Sequence, residues 1–111
     1  MTPNLVAGLE PPYYTAVFTS VRPDDPEGFA ETDARMLEIV SGLPGFLGAE
    51  GARTPGGIGI TVAYFRDLAS LDAWRDHAEH QAAKRRGREQ WYESYSVHIG
   101  KVERSYGFER G

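Results

Sequence analysis

The spacing of apolar residues switches along this chain between a period of two and a period of about 3.6, in the order two, 3.6, two, two, 3.6, two. The first marks strands and the second helices, so the order reads β-α-β-β-α-β. Residues 14–20 place Tyr14, Ala16 and Phe18 on one face, with Thr15, Val17 and Thr19 on the other. Residues 27–41 are predicted helical, with Phe29, Met36, Leu37 and Val40 forming a core-facing stripe. Gly42 suits the residue after the helix, and Pro44 prevents its continuation. Asp33 falls inside the stripe, either at its wet edge or pointed into a pocket; the edge is expected, because burying an unpaired carboxylate is costly.

The run Pro44-Gly45-Phe46-Leu47-Gly48 opens a second strand that reaches about Arg53. Thr54-Pro55-Gly56-Gly57 is a turn, and residues 58–65 form the third strand. There Ile58, Ile60, Val62 and Tyr64 share one face, while Gly59, Thr61, Ala63 and Phe65 share the other. Asp67 or Ser70 caps the next helix, whose broad apolar face holds Leu68, Leu71, Trp74, Ala78 and Ala82. A break is expected near His80 or Gly87. A long final strand is expected from about residue 95 to residue 106.

This order fits an α+β, ferredoxin-like fold: a four-stranded antiparallel sheet with helices on one face. Residues 1–12 form an arm, 13–108 the domain and 109–111 a tail. The second sheet face offers apolar and small residues rather than a polar row. A homodimer covering that face is expected, with the long last strand pairing across it.

Charge and composition narrow the function. Sixteen acidic residues against twelve basic ones give a net charge of −4, which opposes a nucleic-acid binder. There is no cysteine, so disulfides, thiolate metal sites and thiol nucleophiles are excluded. The first residues lack the pattern of a secretory signal, and no stretch is long and apolar enough for a membrane span. A cytoplasmic address is expected, with no membrane partner.

The chemistry-bearing segment is Trp74-Arg75-Asp76-His77-Ala78-Glu79-His80. On a continuous helix His77 lies about 60° from Trp74, beside the apolar face. His80 lies opposite that face unless the helix breaks, in which case it can turn inward. Histidine is the usual proton handler near neutral pH. The two histidines stand at i, i+3 rather than the i, i+4 of helical metal pairs, so no metal site is expected. Trp91, Tyr92 and Tyr95 serve core and interface packing and can also wall a ligand cavity. His98 sits between Val97 and Ile99 on the last strand and reads as structural. Lys84-Arg85-Arg86-Gly87-Arg88 reads as a solvated helix end, or as a site for an acidic ligand group. Gly56-Gly57-Ile58-Gly59 opens a strand rather than a helix, so it is not a dinucleotide fingerprint.

Residues 13–22, the Pro44–Gly48 run, Gly59-Ile60-Thr61-Val62-Ala63-Tyr64-Phe65, the Trp74–His80 segment and Gly87-Arg88-Glu89-Gln90-Trp91-Tyr92 together resemble the antibiotic biosynthesis monooxygenase superfamily. The resemblance implies a dimeric α+β barrel with a pocket between sheet and helices. Some members oxygenate polycyclic phenols with molecular oxygen and neither metal nor flavin, whereas others bind and degrade haem. On the first pattern His77 or His80 is the candidate base, and Trp74 and Tyr64 are candidate donors. Phe18, Met36, Trp91 and Tyr95 join Tyr64 as candidate substrate-binding residues. The haem branch uses an Asn on the first strand and a histidine about ten residues after the helix Trp. Here no Asn stands in that strand, and the ligand position falls at Lys84. The expected function is cofactor-free oxygenation of an aromatic or quinol-type compound. The alternatives are haem binding or degradation, and a non-enzymatic small-molecule-binding or stress-associated dimer.

Overall fold

A computed structural model describes residues 5–111; the first four residues of the expected arm lie outside them. The elements are β1 (Tyr13–Val21), α1 (Phe29–Ser41), β2 (Phe46–Arg53), β3 (Ile58–Phe65), α2 (Leu68–Asp76), α3 (Ala78–Arg86), a π turn (Gly87–Trp91) and β4 (Ser94–Val102). The sheet is fully antiparallel in the order β2-β3-β1-β4, the α+β ferredoxin-like arrangement that the order of periods implies.

Register decides which residues meet the helices. Tyr14 pairs with Phe65, Ala16 with Ala63 and Ser20 with Gly59. Phe65, Val40 from α1 and Leu71 from α2 form the buried core, with Tyr14, Ala16, Phe46, Ala63 and Trp74 packed round it. The helix-facing set is therefore the even residues of β1 and the odd residues of β3 and β4. The opposite face carries Val17, Ile58, Ile60, Val62, Tyr64 and His98. Ile58 and Ile60 there remain 53% and 46% exposed.

Two expectations about element ends need correction. The last strand stops at Val102, not near residue 106, and residues 103–111 have no regular structure. Its nine residues match the nine of its partner β1, so no surplus strand projects for pairing across a dimer. The second helical region breaks at His77, three residues ahead of His80, and its α-helical form also gives way at Gly87, where the π turn begins, as expected. Asp67 caps α2 by accepting from the Ser70 backbone N–H at 2.8 Å. Gly45 has a φ of 85° and lies against that Ser70 side chain, so a Cβ there would meet Ser70 Oγ at 1.9 Å. The tight Pro44-Gly45 entry into β2 thus sets the start of α2. The arm is tied down at Val6, whose N–H donates to Glu50 at 3.0 Å.

Candidate active site

The core fills one end of the space between sheet and helices, and towards the other end the layers part. They leave an open cavity of about 940 Å³, the size of a small-molecule site. Val97 and Ile99 of β4 face it and keep 49% of their surface exposed. Phe18, Phe29, Trp91, Tyr92 and Tyr95 wall its far end. Their rings pack edge-on or tilted, with Phe18–Tyr95 and Phe29–Trp91 centroids both 5.2 Å apart. Trp91 is fixed by donating its indole N–H to the Glu27 carbonyl at 2.9 Å. The expected binding residues Phe18, Met36, Trp91 and Tyr95 all line this cavity.

Trp74 and His80 form the polar part of the wall nearest the core. The break at His77 brings them together. His77 has extended backbone angles, φ −59° and ψ 131°. Its Nδ1 accepts the Glu79 backbone N–H at 3.2 Å, which starts α3. Gln81 donates to the Arg75 carbonyl at 2.6 Å and seals the end of α2. The turn folds His80 back, so that its ring stacks on Trp74 with centroids 4.0 Å apart and planes 9° from parallel.

His80 Nδ1 lies 2.8 Å from the Trp74 carbonyl oxygen. A carbonyl only accepts, so Nδ1 carries the proton in the neutral ring, and Nε2 keeps its lone pair. Burial pushes the imidazole below its usual value of 6.5, and the charges of Lys84 and His77 act the same way; the bond to the Trp74 carbonyl opposes them. The result is a neutral histidine with an open acceptor nitrogen, the state a general base requires. Among the described residues, no acceptor engages the Trp74 indole N–H.

Two expectations change at the site. The structure gives His77 a capping role: its Nδ1 lone pair is used by Glu79, and its side chain does not line the cavity. Tyr64 lies on the opposite sheet face, bonded to Glu50, and cannot donate into this cavity. Asp33 stays exposed, as an edge position implies, and also borders the cavity, where partial desolvation raises its carboxyl above the usual range against the lowering pull of Arg22. His98 pairs with Val17 and faces away from the helices.

Two more cavity residues escaped the sequence reading as site residues, Arg22 and Arg53, whereas Tyr92 and Lys84, each given there as one of two readings, do line the cavity. Burial pushes the Tyr92 hydroxyl up. The Arg22 guanidinium sits 3.8 Å from the centre of the Phe29 ring. Strand parity could have revealed Arg53, which pairs with Gly59 on the helix-facing side. Arg22, just past the end of β1, depends on turn geometry. No group of three or more His, Asp or Glu side chains able to hold a metal stands together among the described residues. No helix among them is long and apolar enough to cross a membrane.

A ferredoxin-like sheet with a mainly apolar, aromatic-walled cavity under its helices defines a class of small pocket proteins. The chain belongs to the antibiotic biosynthesis monooxygenase family, whose profile matches residues 12–86. It is 47% identical over 100 residues to the uncharacterized protein YqjZ of Bacillus subtilis, covering 90% of this chain and 88% of that protein. Its fold matches SnoaB, a cofactor-independent oxygenase from Streptomyces nogalater, with a TM-score of 0.72 at 13% identity, over 86% of this chain and 97% of that one. It also matches Rv0793 of Mycobacterium tuberculosis, with a TM-score of 0.69 at 14% identity, over 85% and 99% of the two chains.

Proposed function

We propose that this protein is a cofactor-independent monooxygenase acting on an aromatic, quinol-type compound, with His80 as the base. The observation that carries the reading is the His80–Trp74 pair: a neutral imidazole, its Nδ1 tied to a carbonyl and its Nε2 uncommitted, on the wall of an aromatic cavity. An acidic C–H or O–H of the substrate gives its proton to Nε2. The electron-rich anion left behind reacts with molecular oxygen, one atom entering the product and the other leaving as water. Trp74 offers its indole N–H to the developing oxyanion. The rings of Phe18, Tyr92 and Tyr95 hold the flat substrate and keep water from the anion. Family membership supports the reading, as does the likeness to a cofactor-independent oxygenase.

The working form is proposed to be a homodimer joined through the sheet face opposite the helices. The exposed Ile58 and Ile60 on that face support this part. Aerobic oxidation of anthrone, followed by oxygen uptake, tests the activity. Turnover above the buffer rate that His80→Gln removes supports the proposal, and turnover equal to buffer refutes it. A Soret band on adding haemin, with no oxidation of anthrone, would instead favour the haem-binding reading.

A further inference from the structure

Two arginines border the cavity at the end away from Trp74, and neither forms an ion pair among the described residues. In a chain with four more acidic than basic residues, that is unexpected. Arg53 reaches from the end of β2 across Gly59, where a Cβ would meet its Nη1 at 2.3 Å. Its Nη2 donates to the Arg22 carbonyl at 2.8 Å and to the Gly57 carbonyl at 3.1 Å, and Nη1 reaches Ser20 Oγ at 3.5 Å. These partners are neutral. They fix the guanidinium without cancelling its charge, and its Nε–H is fully buried with no partner at all. Arg22 is held in a similar way: Nη1 donates to the carbonyls of Pro23 and Asp24 at 2.8 Å, and the guanidinium lies on the Phe29 ring.

The enclosed Nε–H is out of a ligand's reach, but a partly buried cation that no carboxylate offsets is costly unless a ligand supplies the counter-charge. We propose that the Arg22–Arg53 end of the cavity is a carboxylate subsite, and that the natural ligand is an aromatic acid whose ring lies along Phe18, Tyr92 and Tyr95. This rests on reading the cavity as the substrate pocket, and it orients the substrate: acid group at Arg53, reacting carbon towards His80. A planar carboxylate suits the few free donors here, since most guanidinium hydrogens already serve carbonyls. Asp33 faces the same end, and burial raises its carboxyl. It can therefore share a proton with an incoming acid rather than repel it.

The test is equilibrium binding of 2-naphthoate and its uncharged counterpart 2-naphthamide to the full chain, read by tryptophan fluorescence at low salt. No turnover is needed, so the outcome is separate from that of the oxygenase assay. The expected result is binding of naphthoate about ten-fold tighter than naphthamide, as one charge-assisted bond implies. Arg53→Gln and Arg22→Gln should each remove most of that preference, while His80→Gln leaves it intact. Arg53→Gln also loses bonds to two backbone carbonyls; if it fails to fold, Arg22→Gln and the wild-type comparison decide. Equal binding of the two probes by the wild type would overturn the proposal. So would a preference that survives Arg22→Gln but disappears in Lys84→Gln, which would place the acid at the basic end of α3.

Discussion

The imidazole of His80 lies flat against the indole of Trp74, 4.0 Å from centroid to centroid, and its Nδ1 is tied to the carbonyl of the same tryptophan. One residue thus fixes both the plane and the tautomer of the other. A base held this way loses little orientational freedom when substrate arrives.

The first consequence concerns pH. His80 titrates below 6.5 in the folded protein because burial disfavours the imidazolium. In the unfolded chain it titrates near its usual value. Above 6.5 both states are neutral, and this residue adds no slope to stability. As pH falls from 6.5 through the folded value, the unfolded state binds the proton first, so folding is weakened. Histidine NMR titration should show a histidine below 6.5 whose signal His80→Gln abolishes. A His80 titrating above 6.5 would remove the physical basis for its role as base.

A second prediction separates the two helix histidines. His77→Ala removes an N-cap and should cost about 1 kcal/mol in urea unfolding. It should slow oxidation only as far as α3 shifts. His80→Phe keeps a ring on Trp74 but has no nitrogen, so it should retain most stability and lose the base contribution of about 10²- to 10⁴-fold in rate. Comparing unfolding midpoints and oxygen uptake of the two variants checks both halves.

Gly87 offers a contest between propensity and packing. Its backbone is right-handed helical, φ −59° and ψ −46°. On propensity alone, alanine should gain up to about 1 kcal/mol. Its Cβ would, however, stand 2.7 Å from Tyr92 Cε2 and 2.9 Å from Cδ2. That ring is itself packed against Phe18 at 5.4 Å and Tyr95 at 5.6 Å. Overpacking costs about 1–3 kcal/mol and should win. Gly87→Ala is expected to lower thermal stability and weaken aromatic ligand binding; a rise in the melting temperature would show that the π turn yields freely.

The same residues show what could be read from sequence. The periods of Tyr14–Phe18 and Ile58–Phe65 are local, and they gave strand positions and shared faces correctly. Which face meets the helices is not local. It depends on Phe65, rather than Tyr64, packing with Val40 and Leu71, so Tyr64 was assigned to the wrong side. The break at His77 was also hidden, because histidine is an unusual N-cap and the turn is closed by side chains four residues apart, His77 and Gln81. With the break at His77, that residue becomes the cap, and His80 turns inward as a broken helix allows. Phe18, Met36, Trp91 and Tyr95 were legible as a wall because bulky apolar residues at core-facing positions must line whatever space the core leaves.

On the far side of the sheet, Tyr64 donates to Glu50, which also accepts from Val6. The carboxylate bond pushes the Tyr64 hydroxyl up to about 12, and the same bond lowers Glu50. The folded state holds the phenolic proton more tightly than the unfolded one, so this contribution is present below pH 10 and fades as pH rises from 10 towards 12. Glu50 acts at the acid end: its contribution is present above 4.5 and is lost as pH falls through its folded value. Ultraviolet titration should reveal a tyrosine titrating near 12 that Tyr64→Phe removes. With Glu50→Gln that tyrosine should titrate earlier, and cleavage of the chain near Val6 by proteases should quicken.

The role of His80 is tested most directly by oxygen uptake with anthrone, measured from pH 5 to 8 on the wild type and on His80→Gln. The expected result is uptake above the buffer rate, one oxygen molecule consumed per anthraquinone formed, with a single acid limb below pH 6.5. The variant should fall by about 10²- to 10⁴-fold across that range. Wild-type uptake equal to buffer, or an undiminished rate and unchanged pH profile in His80→Gln, would contradict it.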